Sequence, residues 1–211
     1  MPNPSLDNFS KKTTKLKRRF PRSPRHEFVK EIQSLGYEKI IGVDEVGRGA
    51  LCGPLVVVAV EIYHPLTGVH DSKLISVKQR ILLAGEIELY SQQLSFGQAS
   101  NIEIDVLGLS EALELAYQRC LEKMVFDLVL TDNYRISNHP HIKIVKGDQF
   151  FYPVAAASIV AKVFRDQLMG VYHQFYPQYS WRNNAGYGTP AHKKALDVIG
   201  PSPLHRQSFL G

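Results

Sequence analysis

The chain has 211 residues, 44% of them apolar and 21% charged, which suits a folded domain with a sizeable core. The longest apolar run, Leu55 to Val60, stops at Glu61, well short of a membrane span, and the polar N-terminus lacks the apolar segment of a secretory signal, so a cytoplasmic protein is expected. Cys52 and Cys120 belong to no CxxC or Cys/His cluster, which argues against a disulfide framework or a zinc site.

The net charge of +5 is uneven: residues 1–25 carry Lys11, Lys12, Lys15, Lys17, Arg18, Arg19, Arg22 and Arg25 against one acid, Asp7, and the rest is slightly acidic. Such a leader suggests tethering to a polyanion such as nucleic acid, or equally a solvated tail. Ser23-Pro24 opens a predicted helix, Arg25 to Leu35, stopped at Gly36. A basic leader of residues 1–36 is therefore expected ahead of a body of residues 37–211. Lys39 to Asp44 and Leu55 to Tyr63 are Val/Ile-rich and read as a β-hairpin or adjacent strands around a glycine-rich turn. Ser76 to Gln92 has helical spacing, and Gln93 to Ala99 alternates like a strand. Ile104 to Met124 reads as one amphipathic helix, followed by short strands at Asp127 to Asp132 and Ile142 to Val145. A long helix runs from Pro153 to about Phe175 and a shorter one from Pro190 to Ile199. The order implies an α/β arrangement with a helical C-terminal portion.

In Gly42-Val43-Asp44-Glu45-Val46-Gly47-Arg48-Gly49 two acids and an arginine interrupt an otherwise apolar strand. Buried carboxylates need a cation or a basic partner, and side-chain alternation lets Asp44 and Glu45 share a site only if the chain bends there. Asp132 and Asp148 end two further strand-like runs. Acids at neighbouring strand ends can converge on a hard, oxygen-liganded ion such as Mg²⁺ or Mn²⁺, although a cap or turn role remains open for any one of them. On the helix after Pro153, Ser158, Lys162, Arg165 and Asp166 share one polar face.

The motifs GVDEVGRG at 42–49, DSK at 71–73, KGD at 146–148, AASIVAKVFRD at 156–166, GYGT at 186–189 and HRQSF at 205–209 come in the order seen in bacterial ribonuclease HII, which residues 37–211 resemble. The resemblance implies a ribonuclease H-like mixed β-sheet flanked by helices, with a helical C-terminal extension. It implies an endonuclease that hydrolyses the RNA strand of RNA/DNA hybrids and cuts 5′ of single ribonucleotides embedded in duplex DNA, as in ribonucleotide excision repair. Asp44, Glu45, Asp132 and Asp148 would be the catalytic metal-site acids, holding two Mg²⁺ or Mn²⁺ ions and leaving 3′-hydroxyl and 5′-phosphate ends. Gly47, Arg48 and Gly49 would sense the ribose 2′-hydroxyl, with Arg48 adding a phosphate contact, and Tyr187 would touch the next deoxynucleotide. Lys146, Ser158 and Lys162 would contact phosphates, while His192 and His205 are read as structural. Two departures stand out: Leu74 where a second lysine is common after DSK, and Asn133 where a glycine commonly follows the third acid. The expected partner is an RNA/DNA hybrid or ribonucleotide-containing DNA, met by a monomer with no membrane association. The alternatives are a hybrid-binding protein without catalysis, another ribonuclease H-like nuclease, or a ribonuclease HIII-like enzyme, whose folded N-terminal domain residues 1–36 are too short to supply.

Overall fold

The computed structural model describes residues 27–69 and 75–210, so the DSK motif and the leader before Glu27 lie outside the described residues. Strands β1 (Ile40–Val46), β2 (Leu55–Glu61), β3 (Gln93–Ala99), β4 (Leu128–Asp132) and β5 (His141–Ile144) form one mixed sheet in the order β3-β2-β1-β4-β5. The pairs β1 with β4 and β4 with β5 run parallel. Every residue of β2 is buried, and its sequence LVVVAVE is the near-continuous apolar run of a strand covered on both faces.

The helices are α1 (Glu27–Gln33), α2 (Val77–Tyr90), α3 (Asn101–Leu107), α4 (Leu109–Leu121), α5 (Tyr152–Phe175), α6 (Trp181–Asn184) and α7 (Pro190–Ile199). Ser76 and Ser100 open α2 and α3 with capping boxes closed by Gln79 and Glu103. The region expected as a single helix over Ile104 to Met124 is two helices, because Gly108 adopts φ 82 and ψ 162 between them. Among the described residues, no helix is long and apolar enough to cross a membrane.

The chain forms two compact units. The first takes the chain up to Asp44, Val58–Ser95 and Lys123–Val160; the second takes Glu45–Val57, Phe96–Glu122 and Ala161 onward. In the first, Phe28, Val29 and Ile32 of α1 join Ile40, Leu128, Leu130, Ile142, Ile144, Phe151 and Val154 in one core cluster. The helix within residues 1–36 is thus packed into the core, each such side chain contributing about 1.5–3 kcal/mol of burial. A Cβ on Gly42 would overlap the Pro153 and Val154 backbone, so only glycine lets the first turn of α5 lie directly on β1. In the second unit Cys52, Met169, Tyr179, Trp181 and Ala185 form the core, with the Tyr179 and Trp181 rings stacked at 5.1 Å.

Candidate active site

In the first unit, the ladder between β1 and β4 leads into two of the candidate acids, Asp44 and Asp132. The paired residues run from Ile40 opposite Leu128 to Val43 opposite Thr131, so Asp44 and Asp132 each follow the last pair of the ladder on their own strand. Asp132 Oδ1 accepts a hydrogen bond of 3.0 Å from the Gly147 N–H, which draws the KGD turn and its buried Asp148 to the same strand end. Two residues beside these acids are left-handed: Asn133 at φ 55, whose N–H donates to the Ile144 carbonyl at 3.1 Å, and Lys146 at φ 64. The left-handed conformation explains the departure at Asn133, because asparagine tolerates it better than other residues with a Cβ. Strain of roughly 1–2 kcal/mol at such a residue persists only where surrounding contacts enforce it.

In the second unit, Glu45 accepts from the Tyr117 hydroxyl at 2.7 Å and from Arg48 Nη1 at 3.1 Å. The Glu45 side chain is 9% exposed and that of Arg48 56%, so the carboxylate is held inside while the guanidinium faces solvent. Sequence reasoning missed Tyr117; its place inside the apolar stripe of α4 was the available signal. Gly47 has φ 92, and a Cβ there would overlap Arg165 Nε, while Gly49 is exposed.

Two wholly buried arginines hold the segment after this turn. Arg165 donates from Nε to the Pro54 carbonyl at 3.1 Å, from Nη2 to Cys52 at 3.1 Å and from Nη1 to Ala185 at 2.7 Å. Arg206 donates to the carbonyls of Gly53 at 3.1 Å and Arg48 at 3.0 Å. Burial lowers both pKa values, that of Arg206 to about 10. Tyr187 is half-buried with its ring centroid 5.5 Å from the Arg165 guanidinium. The Leu51 N–H donates to the Gly186 carbonyl at 2.8 Å, and Ala50 bridges to Tyr187, which ties the Tyr187 loop to the turn. Of the other expected phosphate contacts, Lys146 is exposed, Ser158 is buried, and Lys162 is paired with Asp166 at 2.7 Å.

Among the described residues, Cys52, His192 and His205 form a group whose possible ligand atoms lie within 4.8 Å of one another, and the four acids form no such group. Like-charged carboxylates favour separation, whereas the histidines are already engaged with one another. His205 Nδ1 accepts from the Ser202 N–H at 2.8 Å, so in the neutral ring Nε2 carries the hydrogen and donates to His192 Nε2 at 3.0 Å. His192 Nε2 also accepts from Trp181 Nε1 at 3.1 Å, and its Nδ1 donates to the Tyr187 carbonyl at 3.0 Å. Burial lowers both histidine pKa values, that of His205 to about 4, and pushes the Cys52 thiol up to about 12. The relay runs on two neutral rings and fixes the backbone of the Tyr187 loop, in keeping with a structural role.

The fold has close counterparts among solved structures. The chain is similar to the ribonuclease HII of Archaeoglobus fulgidus seen in complex with PCNA, with TM-score 0.71, 23% identity, and coverage of 81% of this chain and 94% of that one. It is also similar to Bst-RNase HIII in complex with Mn²⁺, with TM-score 0.61, 19% identity, and coverage of 82% and 67%. The sheet, its flanking helices and these likenesses define a ribonuclease H fold. The family model described as Ribonuclease HII matches residues 41–210, and the ribonuclease HII of Lactobacillus johnsonii is 45% identical over 175 residues, which is 81% of this chain and 70% of that protein. The chain belongs to the ribonuclease HII family, and it is a hydrolase of the ribonuclease H type.

Proposed function

We propose that this endonuclease hydrolyses the RNA strand of RNA/DNA hybrids and cuts on the 5′ side of single ribonucleotides embedded in duplex DNA, leaving 3′-hydroxyl and 5′-phosphate ends. The observation that supports the reading is the β1–β4 register, whose last pair, Val43 opposite Thr131, is followed by Asp44 on one strand and Asp132 on the other, with the exposed Arg48 and Gly49 a few residues beyond Asp44. Asp44, Glu45, Asp132 and Asp148 offer only hard oxygen donors, the set that suits Mg²⁺ or Mn²⁺, and the Mn²⁺ complex of Bst-RNase HIII supports that assignment. The buried Cys52 and histidine group fits such an ion poorly, because its ring nitrogens are already hydrogen-bonded. When bound, two ions supply Lewis acidity for attack of water on the phosphodiester and charge stabilisation for the leaving oxygen.

The protein's own groups have separable tasks. Tyr117 and Arg48 orient the two oxygens of Glu45. Gly47, Arg48 and Gly49 bring backbone donors and acceptors close enough to read a 2′-hydroxyl, which DNA lacks, and the Arg48 guanidinium contacts a phosphate. Tyr187 stacks on the sugar that follows, as an aromatic ring on a tightly turned loop can. Lys146 and Lys162, with Ser158, contact the backbone phosphates, and the basic leader strengthens binding without adding specificity.

The test is cleavage of a labelled DNA duplex containing one ribonucleotide, with Mg²⁺, Mn²⁺ or chelator, mapping the cut and its end groups. A metal-dependent cut 5′ to the ribonucleotide with a 3′-hydroxyl is expected. Cleavage confined to long hybrids would reject the junction specificity, and no cleavage of either would reject catalysis in favour of hybrid binding.

A further inference from the structure

Arg165 lies on the polar stripe of α5, yet it is fully buried, and the groups hydrogen-bonded to its guanidinium are backbone carbonyls. A buried cation is costly to desolvate, and packing alone would be served by an apolar side chain of similar volume. What the charge does here is specific. Two donors fix the Cys52 and Pro54 carbonyls after the glycine turn, and the third fixes the Ala185 carbonyl just before Gly186 and Tyr187. The same group stands 5.5 Å from the Tyr187 ring centroid and lies so close to Gly47 that no Cβ fits there. A planar fork with five donors can hold three carbonyls from two segments, which the single ammonium of a lysine cannot reproduce.

We infer that Arg165 is a positioning residue for junction selectivity: one guanidinium locks the Gly47-Arg48-Gly49 turn and the Tyr187 loop in a common register. Reading of the ribose 2′-hydroxyl and contact with the following deoxyribose then act as one unit. The inference rests on the substrate reading proposed above. A long hybrid presents ribose at every position of the strand and has no junction, so cleavage of it depends less on that register.

The test compares kcat/KM of the wild type and Arg165→Lys on a duplex with one embedded ribonucleotide and on a long RNA/DNA hybrid, with Mn²⁺ binding measured by calorimetry. Arg165→Lys should lose about tenfold or more on the embedded ribonucleotide and less than about threefold on the hybrid, with Mn²⁺ affinity unchanged. Adding Tyr187→Ala to Arg165→Lys should cost less than about twofold further on the embedded substrate, because both changes disable the same unit. Equal losses on both substrates, or fully additive effects, would overturn the inference. A second measurement needs no variant: hydrogen exchange of the wild type in chelator, with and without the ribonucleotide-containing duplex. Amides of residues 47–51 and of 186 and 187 should gain protection together, and protection of one segment alone would overturn the coupling. A wild type inactive on both substrates would instead refute the nuclease reading, while the exchange experiment, which needs binding alone, still decides the coupling.

Discussion

Acidification should weaken the fold through the His192–His205 pair, and the size of the effect can be worked out. His205 is 1% exposed, and its pKa falls from the ordinary 6.5 to about 4 in the folded protein. Between these values the unfolded chain binds a proton that the folded chain refuses, so the stabilisation is complete above about pH 6.5 and is lost as pH falls toward 4. At pH 5 the unfolded imidazole is almost wholly protonated and the folded one mostly neutral, a difference of about 2 kcal/mol from His205 alone. His192, also shifted down by burial, adds in the same direction. For a chain of this size about 2 kcal/mol corresponds to roughly 4–8 °C in Tm. The assay is urea unfolding and thermal melting of the wild type and His205→Gln between pH 7.5 and 5. The variant should be less stable at pH 7.5 and should lose clearly less stability on acidification. Equal losses in both proteins would refute the two-neutral-ring description. Glu103, held down to about 2 by Arg119 and the α3 cap, acts in a separate window below its ordinary 4.5.

Other expected outcomes are simpler. Asp44→Asn should abolish cleavage while leaving the metal-free protein as stable or more stable, since one of several like charges is removed; a clearly lower Tm in chelator would contradict the proposed convergence of the acids. Tyr117→Phe removes a hydrogen bond to a carboxylate, an interaction of about 1.5–3 kcal/mol, and should lower kcat about tenfold or more with little change in KM; an unchanged kcat would show that Glu45 needs no such orientation. Asn133→Gly should raise stability slightly and Asn133→Ala lower it by about 1 kcal/mol, read from urea midpoints; the opposite order would contradict the left-handed loop beside Asp132.

The wording of short motifs made the family legible, and GVDEVGRG and KGD singled out Asp44, Glu45 and Asp148 as candidate acids, with Asp132 added from the end of a strand-like run. Strands and most helices were legible from periodicity, with β2 and α7 clearest. Gly108 escaped notice because the apolar stripe continues through it, and periodicity registers spacing without a local change of φ. Arg165 was visible as a member of a polar face, but a helical wheel does not distinguish a solvated charge from one aimed at buried carbonyls. In the structure Lys162 pairs with Asp166 on that helix while Arg165 turns to the Cys52, Pro54 and Ala185 backbone. The histidine relay was illegible for another reason: His192 and His205 come from separate segments and meet through ring nitrogens whose tautomers only the surrounding bonds define.

The parallel pairing of β1 with β4 also bears on how the protein is made. Asp44 and Asp132 sit on strands far apart in the chain, and a parallel pair of this kind closes only after a long crossover is in place. A nascent polypeptide that has emerged through β3 carries the first two acids and the glycine turn, but neither Asp132 nor the KGD turn. With the acid roles proposed above, nuclease competence would be acquired late in synthesis, together with the ladder closure that completes the core of the first unit.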